Sequence, residues 1–222
     1  MIMNINLARQ KGVMIIISSP SGAGKTTLTR KLVSDLKNAV LSISVTTRKK
    51  RDNEEDGLHY YFVDDEVFNK MVDEGNLLEH ANVFGFNYGT PKERVIENIQ
   101  IGNDVIFDID WQGALQLKNN YEDNIISVFI LPPTATELMG RLIKRDQDSI
   151  DTIKNRLNAA YDEIKHWNEY DYVIINDDLD VAYSELKSIV TSEKMKITKA
   201  NTTNISKHVD HLLEELSDRL KD

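Results

Sequence analysis

Ser21, Gly22, Ala23, Gly24, Lys25, Thr26 and Thr27 form one continuous run of glycines, hydroxyls and an ammonium. That combination suits a polyphosphate. Glycines let successive backbone N–H groups turn toward one point, a helix starting at Lys25 adds the positive end of its dipole, and the lysine adds a full charge. The run departs from the strict pattern G-x-x-x-x-G-K-[ST] at one position, where Ser19 stands in place of the first glycine.

Two other groups of residues carry charge suited to phosphate chemistry. Asp108 and Asp110 end the apolar run 105–110, and read as a strand this run sends both carboxylates to one side. At the carboxyl end of a parallel strand, beside a phosphate loop, such an acid serves magnesium-assisted phosphoryl transfer. Arg48 and Arg51 lie on non-repetitive backbone ahead of Tyr60 and Tyr61, while Arg141 and Arg145 share a helix face at i, i+4 and Arg156 follows on the next helix. Taken alone, arginine-dotted helices read as solvated surface. His208 and His211 at i, i+3 lack a carboxylate or cysteine set to complete a metal site, and read as surface histidines.

The elements that must position these residues can be read from hydrophobic period and turn residues. Residues 13–17 are a short apolar run ended by Ser-Pro, the pattern of a strand buried on both faces, and Leu28, Leu32, Val33 and Leu36 mark an amphipathic helix after the loop. Residues 39–45 alternate as a strand and 60–63 read as another. A helix over 66–74, capped by Asp64 or Asp65, ends at Gly75. A strand over 77–83, a glycine-bounded hairpin or loop over 84–90 and a helix starting at Pro91 follow. Further strands are expected over 105–110, 125–131 and 171–176, and further helices from Trp111, over 136–145, after Ser149 and around 181–190. Residues 205–220 place Ile205, Val209, Leu212, Leu213, Leu216 and Leu220 on one stripe that packs on the core or meets a partner, a second copy being one candidate.

Strands alternating with helices after one glycine loop predict an α/β fold, a P-loop doubly wound parallel sheet with a β-rich insertion. The expected division is a discontinuous core (1–43, 91–140 and 157–200), an insertion over 44–90 that could clasp a phosphorylated base, a helical segment over 141–156 and a helical extension over 201–222. With 222 residues, 41% of them hydrophobic, the chain can build one core of this kind. A net charge of −9 disfavours general binding to nucleic acid or to an anionic membrane surface. Without cysteine there is no disulfide, thiolate nucleophile or cysteine-ligated zinc, and with no long apolar run or signal-like start a cytoplasmic protein is expected.

The ordered motifs resemble those of the guanylate kinases from about Val13 to about Lys194. The matching pieces are Ser-Gly-Ala-Gly-Lys-Thr at 21–26, Ser-Val-Thr-Thr-Arg at 44–48 with Arg51, Tyr-Tyr-Phe-Val at 60–63, Leu-Glu-His-Ala at 78–81 and Tyr-Gly-Thr at 88–90. Asp-Ile-Asp-Trp-Gln-Gly at 108–113, Pro132-Pro133, Arg141 with Arg145, Arg156, and Val-Ile-Ile-Asn-Asp-Asp at 173–178 complete the set. The resemblance implies transfer of the γ-phosphoryl of ATP to GMP, with dGMP as a further acceptor and Mg²⁺ as the metal. It implies that Lys25 and the loop residues Ser21 to Thr27 hold ATP phosphates, with Arg141 and Asn176 also on the ATP side, and that Thr26 and Asp108 serve the metal shell. Arg48, Arg51, Tyr60 and Tyr88 would hold the GMP phosphate, and Ser44, Glu79, Thr90 and Asp110 would face guanine. Arg141, Arg145 and Arg156 match the arginines of the family's helical lid, which the resemblance places over 141–156, with Lys25, Arg48, Arg145 and Arg156 as the catalytic set.

Lys50 stands where the family has proline, Asn53 where glycine precedes the glutamate and Asp146 where glycine follows the lid arginine. Two rival readings exist. A non-catalytic interaction module of the same fold would be expected to lack the phosphate loop or its lysine, and both are present. A kinase for another acceptor is disfavoured by the Glu79 and Asp110 pair, which suits the three N–H donors of guanine better than the single ring N–H of uracil or thymine.

Overall fold

The computed structural model describes residues 12–121, 125–145, 150–196 and 199–220. Its centre is a parallel five-stranded sheet in the order β2 (Ala39–Leu41), β7 (Asp104–Asp108), β1 (Met14–Ser18), β8 (Ile125–Leu131) and β9 (Tyr172–Ile175). Every residue of β1 is buried, as the uninterrupted apolar run requires of a strand with partners on both edges and helices on both faces.

The period of two divides that run between two cores. Ile15 and Ile17 pack with Leu28 and Leu32 of α1 (Lys25–Asp35) and with Ala182, Leu186 and Val190 of α7 (Leu179–Met195). Met14 and Ile16 face the other way, against Val95 of α3 (Lys92–Gln100) and Ala114 and Leu117 of α4 (Trp111–Asn120). The sheet is thus covered on both faces, as the alternation of strands and helices predicts. Asp104 is nearly fully buried and accepts from Val13 N–H at 3.2 Å and from Lys194 Nζ at 2.5 Å, tying the end of α7 to the base of β7.

A second, mixed sheet lies in the order β4 (Tyr61–Phe62), β3 (Val45–Thr46), β6 (Phe86–Pro91) and β5 (Leu77–Val83), with α2 (Asp65–Asp73) between β4 and β5. Asp64 caps α2 by accepting from Val67 N–H at 2.8 Å. This sheet is fastened to the core through Gln116 of α4, which accepts from His80 N–H at 3.1 Å and donates to His80 O at 2.7 Å. Gln116 therefore satisfies an edge of β5 and fixes its neighbour Glu79 relative to α4.

Two expectations need correction. The alternating run 39–45 is not one strand: Ala39–Leu41 belong to the large sheet, and Val45–Thr46 to the small one, so the chain changes sheets at residues 42–44. Alternation alone cannot register such a crossing. The strand over 105–110 ends at Asp108, and Asp110 has left it to become the N-cap of α4, accepting from Gly113 N–H at 3.1 Å. The period-two argument for both aspartates therefore reaches only the first.

Helix α5 (Ala135–Arg145) packs on α6 (Ile150–Ile164) through Leu138, Leu142, Leu157 and Ala160. The final helix, α8 (Lys199–Arg219), leaves Val209, Leu212, Leu213 and Leu216 exposed, so the described part of its apolar stripe does not pack on the core. The side chain of Ile205 lies outside the described residues, as do Asp146 and the side chain of Arg145. No described helix is long and apolar enough to cross a membrane.

Candidate active site

The turn between β1 and α1 depends on Gly24, which caps α1 in the left-handed conformation at φ 99°. A Cβ at Gly24 would also lie 2.3 Å from Asn176 Nδ2. That amide is buried beneath the loop and donates to Ala23 O at 2.7 Å, while Asn176 O accepts from Arg141 Nη2 at 3.2 Å. Asn176 thus braces the loop, and Arg141 stands at its margin. Thr26 and Thr27 are exposed on the first turn of α1.

Lys25 extends across to the end of β7. Its Nζ lies 2.6 Å from Asp108 Oδ1 and donates to Ile109 O at 3.2 Å. Burial works against the ammonium, but the charge and hydrogen bond of Asp108 outweigh it and raise the pKa of Lys25. The lysine is therefore held protonated beside the loop amides.

A second cluster forms where the small sheet faces this loop. Arg48 makes a bidentate pair with Glu54, at 3.0 and 2.7 Å, and its Nε donates to Tyr88 Oη at 3.2 Å. The hydrogen bonds that Arg48 donates to Glu54 are the largest cause both of a raised Arg48 pKa and of a lowered Glu54 pKa. Tyr60 meets Tyr88 edge-on at 5.9 Å, and the Arg48 guanidinium lies 5.4 Å from the Tyr60 ring centroid. Burial raises the pKa of the Tyr60 hydroxyl, which also feels Asp108, Tyr88, Lys25 and Arg48. Tyr60 therefore belongs to the arginine cluster, packed against both Tyr88 and Arg48. Arg51 is exposed at the rim, and its backbone N–H donates to Glu54 Oε2 at 2.9 Å. Lys50 and Asn53 are exposed as well, and neither interrupts the Arg48–Glu54 pair.

Glu79 forms a third group. It is 3% exposed, and its Oε1 accepts from Thr90 Oγ1 at 2.6 Å. Gly113 leaves room for it, since a Cβ there would stand 2.3 Å from Glu79 Oε2. Burial is the largest cause lifting its pKa to about 7, with the charge of Asp110 adding to the rise and the Thr90 bonds opposing it. Asp110 is fixed by its capping bond and by Gln112 Nε2 at 3.0 Å. Ser44 is half-buried at the crossing between sheets, where its carbonyl accepts from Tyr61 N–H at 2.9 Å.

The site residues expected from sequence thus fall into three groups around the ends of β1, β7 and the small sheet. Arg156 lies on α6, half-buried. Sequence reading gave no role to two acids: Glu54, the glutamate six positions after Arg48, and Glu163 near the end of α6, which no motif marks.

The donor chemistry fits magnesium. The Asp108 carboxylate and Thr26 hydroxyl are hard oxygen ligands, and the described residues hold no group of three or more His, Cys, Asp or Glu that would cage an ion by themselves. Such a sparse protein shell suits an ion that takes its other ligands from phosphates and water.

The family model described as guanylate kinase matches residues 11–193. The chain is 45% identical over 217 residues to a guanylate kinase of Jannaschia sp. (strain CCS1), covering 97% of this chain and 99% of that one. It is 49% identical to that of Agrobacterium fabrum over 192 residues, covering 86% and 87%. Among solved structures, the guanylate kinase from Anaplasma phagocytophilum superposes with a TM-score of 0.71 at 38% identity, covering 85% of this chain and 89% of that one. Agreement of this extent, over a chain whose loop, acids and arginine cluster take up one coherent site, makes it a member of the guanylate kinase family.

Proposed function

We propose that the chain transfers the γ-phosphoryl group of ATP to GMP, giving ADP and GDP. The observation that carries this reading is the presence of two cationic clusters, Lys25 against Asp108 at the phosphate loop and Arg48 with Tyr88 and the Tyr60 ring on the small sheet. Two such anion sites suit a donor polyphosphate and an acceptor phosphate that must meet. An oxygen of the GMP phosphate attacks the γ-phosphorus as the bond to the β–γ bridging oxygen breaks. The protein supplies position and charge.

Lys25 and the loop amides hold the ATP phosphates, Arg141 lines the nucleotide side, and Asn176 keeps the loop in shape from below. Arg48, Tyr60 and Tyr88 hold the GMP phosphate, with Arg51 joining from the rim. Glu79, Thr90, Asp110 and Ser44 read guanine. Arg145 and Arg156 neutralise the transferring phosphoryl. Thr26 and Asp108 would hold a magnesium ion, which would supply charge to offset that developing on the phosphate oxygens. Because the base carries the recognition, dGMP is an acceptor too.

A coupled assay of ADP release with GMP, dGMP, AMP, UMP and dTMP tests this. GMP and dGMP are expected to be used, and comparable kcat/KM for AMP or UMP would overturn the reading. Lys25→Ala is expected to lower kcat by about 10²-fold or more, the scale seen on removing one transition-state donor. Its melting temperature should stay near the parent's, since Lys25 belongs to neither apolar cluster. Near-parental turnover would remove Lys25 from the ATP site.

A further inference from the structure

One carboxylate touches the phosphate loop without a place in the roles above. Glu163, near the end of α6, accepts from the N–H of Ser21 through Oε2 at 3.2 Å. Three residues later the His166 ring stacks on Trp111, the first residue of α4, with centroids 3.5 Å apart and planes 7° from parallel. The end of α6 and the turn after it are thus held at two points, one on the loop that follows β1 and one on the helix that follows β7.

Arg156 precedes Glu163 by about two turns at 3.6 residues per turn, so Arg156, Ala160 and Glu163 lie along one face of α6. Ala160 is buried against Leu138 and Leu142, which identifies that face as the inward one. The contact between Glu163 and Ser21 therefore sets how the face bearing Arg156 is turned toward the loop.

We propose that Glu163 is a positioning residue for phosphoryl transfer, fixing the rotation and height of α6 on the phosphate loop so that Arg156 reaches the transferring group. The proposal rests on the reading of Arg156 as a transition-state ligand. Burial lifts the Glu163 pKa to about 7, against the opposing charge of Lys25 and the Ser21 hydrogen bond. A negative charge beside a loop for polyanions also weakens their binding. Loss of the charge and loss of the hydrogen bond should therefore leave different signatures.

Glu163→Gln removes the charge and keeps an acceptor for Ser21 N–H, whereas Glu163→Ala removes both. The alanine variant is expected to lose about 10²-fold in kcat, the scale of a misplaced catalytic group, with the KM for ATP unchanged or lower. The glutamine variant should keep kcat within about threefold of the parent, because its amide oxygen still accepts from Ser21. In an Arg156→Ala background, adding Glu163→Ala should cost little more, since the acid acts through the arginine. Parental kcat in Glu163→Ala, a glutamine variant as slow as the alanine one, or losses that multiply in the double variant would each overturn the proposal. Multiplying losses would leave the Arg156 reading standing, whereas an Arg156→Ala variant with parental kcat would remove both. If Glu163→Ala does not fold, Glu163→Asp, which withdraws the acceptor by one methylene, carries the same expectation and the same overturning result.

Discussion

Arg156→Ala is expected to lower kcat by about 10³-fold while the KM for GMP moves by only a few-fold. The scale is that of arginines that neutralise a transferring phosphoryl group. Arg156 lies on α6 and, under the proposed function, takes the transferring phosphoryl while Arg48, Tyr60 and Tyr88 take the acceptor phosphate. An arginine outside the ground-state cluster contributes where charge develops, so its loss appears in kcat and kcat/KM together. Steady-state kinetics with GMP varied at saturating ATP separates the two parameters. A loss confined to KM would make Arg156 a ground-state ligand. Arg145→Ala carries the same expectation from the family resemblance alone.

The second large effect concerns base choice. Guanine offers N1–H and N2–H₂ donors to a carboxylate, whereas adenine presents an unprotonated N1. Bonds from the Thr90 hydroxyl and backbone hold Glu79 in place, and under the proposed function the remaining lone pairs of its two oxygens go to the base. A buried acceptor pair of this kind should favour GMP over AMP by about 10⁴-fold in kcat/KM. Glu79→Gln turns an NH₂ toward the base, so GMP use falls sharply while AMP use does not fall in proportion. A variant that keeps the parent's ratio would mean that guanine is read elsewhere, with Asp110 and Ser44 next in line.

The same residue gives the site a pH dependence. With its pKa at about 7, Glu79 is increasingly protonated as pH falls below neutrality, and a protonated carboxyl cannot accept from both guanine donors. The kcat/KM for GMP should therefore decline below about pH 7, and Glu79→Gln should lack this limb. Stability runs the opposite way. A carboxyl whose folded pKa lies above its ordinary value of 4.5 stabilises the fold fully below 4.5 and loses that contribution as pH rises through 7. Thermal melts of parent and variant from pH 5 to pH 8 should diverge in that direction.

Much of the site was legible because its chemistry sits at element boundaries, where sequence signals are sharpest. The apolar run before Ser19, the glycines and Lys25 placed the phosphate loop within a residue of where β1 ends and α1 begins. The all-parallel order of the large sheet likewise follows from strands spaced by helices. What escaped was long-range partnership. Nothing local says that Glu54 claims Arg48, that Asn176 slides its amide under Ala23, or that Glu163 reaches Ser21 across 142 positions. The run 39–45 misled because a strand that crosses between two sheets keeps its alternation while changing its partners.

The strand order also dictates when each part of the protein can take shape during synthesis. Strand β1 lies between β7 and β8, and its neighbour Val13 waits 91 residues for its contact with Asp104. The apolar segment that founds the core thus leaves the ribosome long before either edge can be covered. By contrast, β5 and β6 form a hairpin across Phe84 and Gly85, and the small sheet has all its strands once Pro91 has emerged. The small sheet is therefore positioned to assemble first, by local pairing, while the large sheet waits for non-local contacts with a larger loop-closure cost. Nascent chains stalled after Pro91 but before β7 should display an ordered hairpin beside an unpaired, aggregation-prone strand.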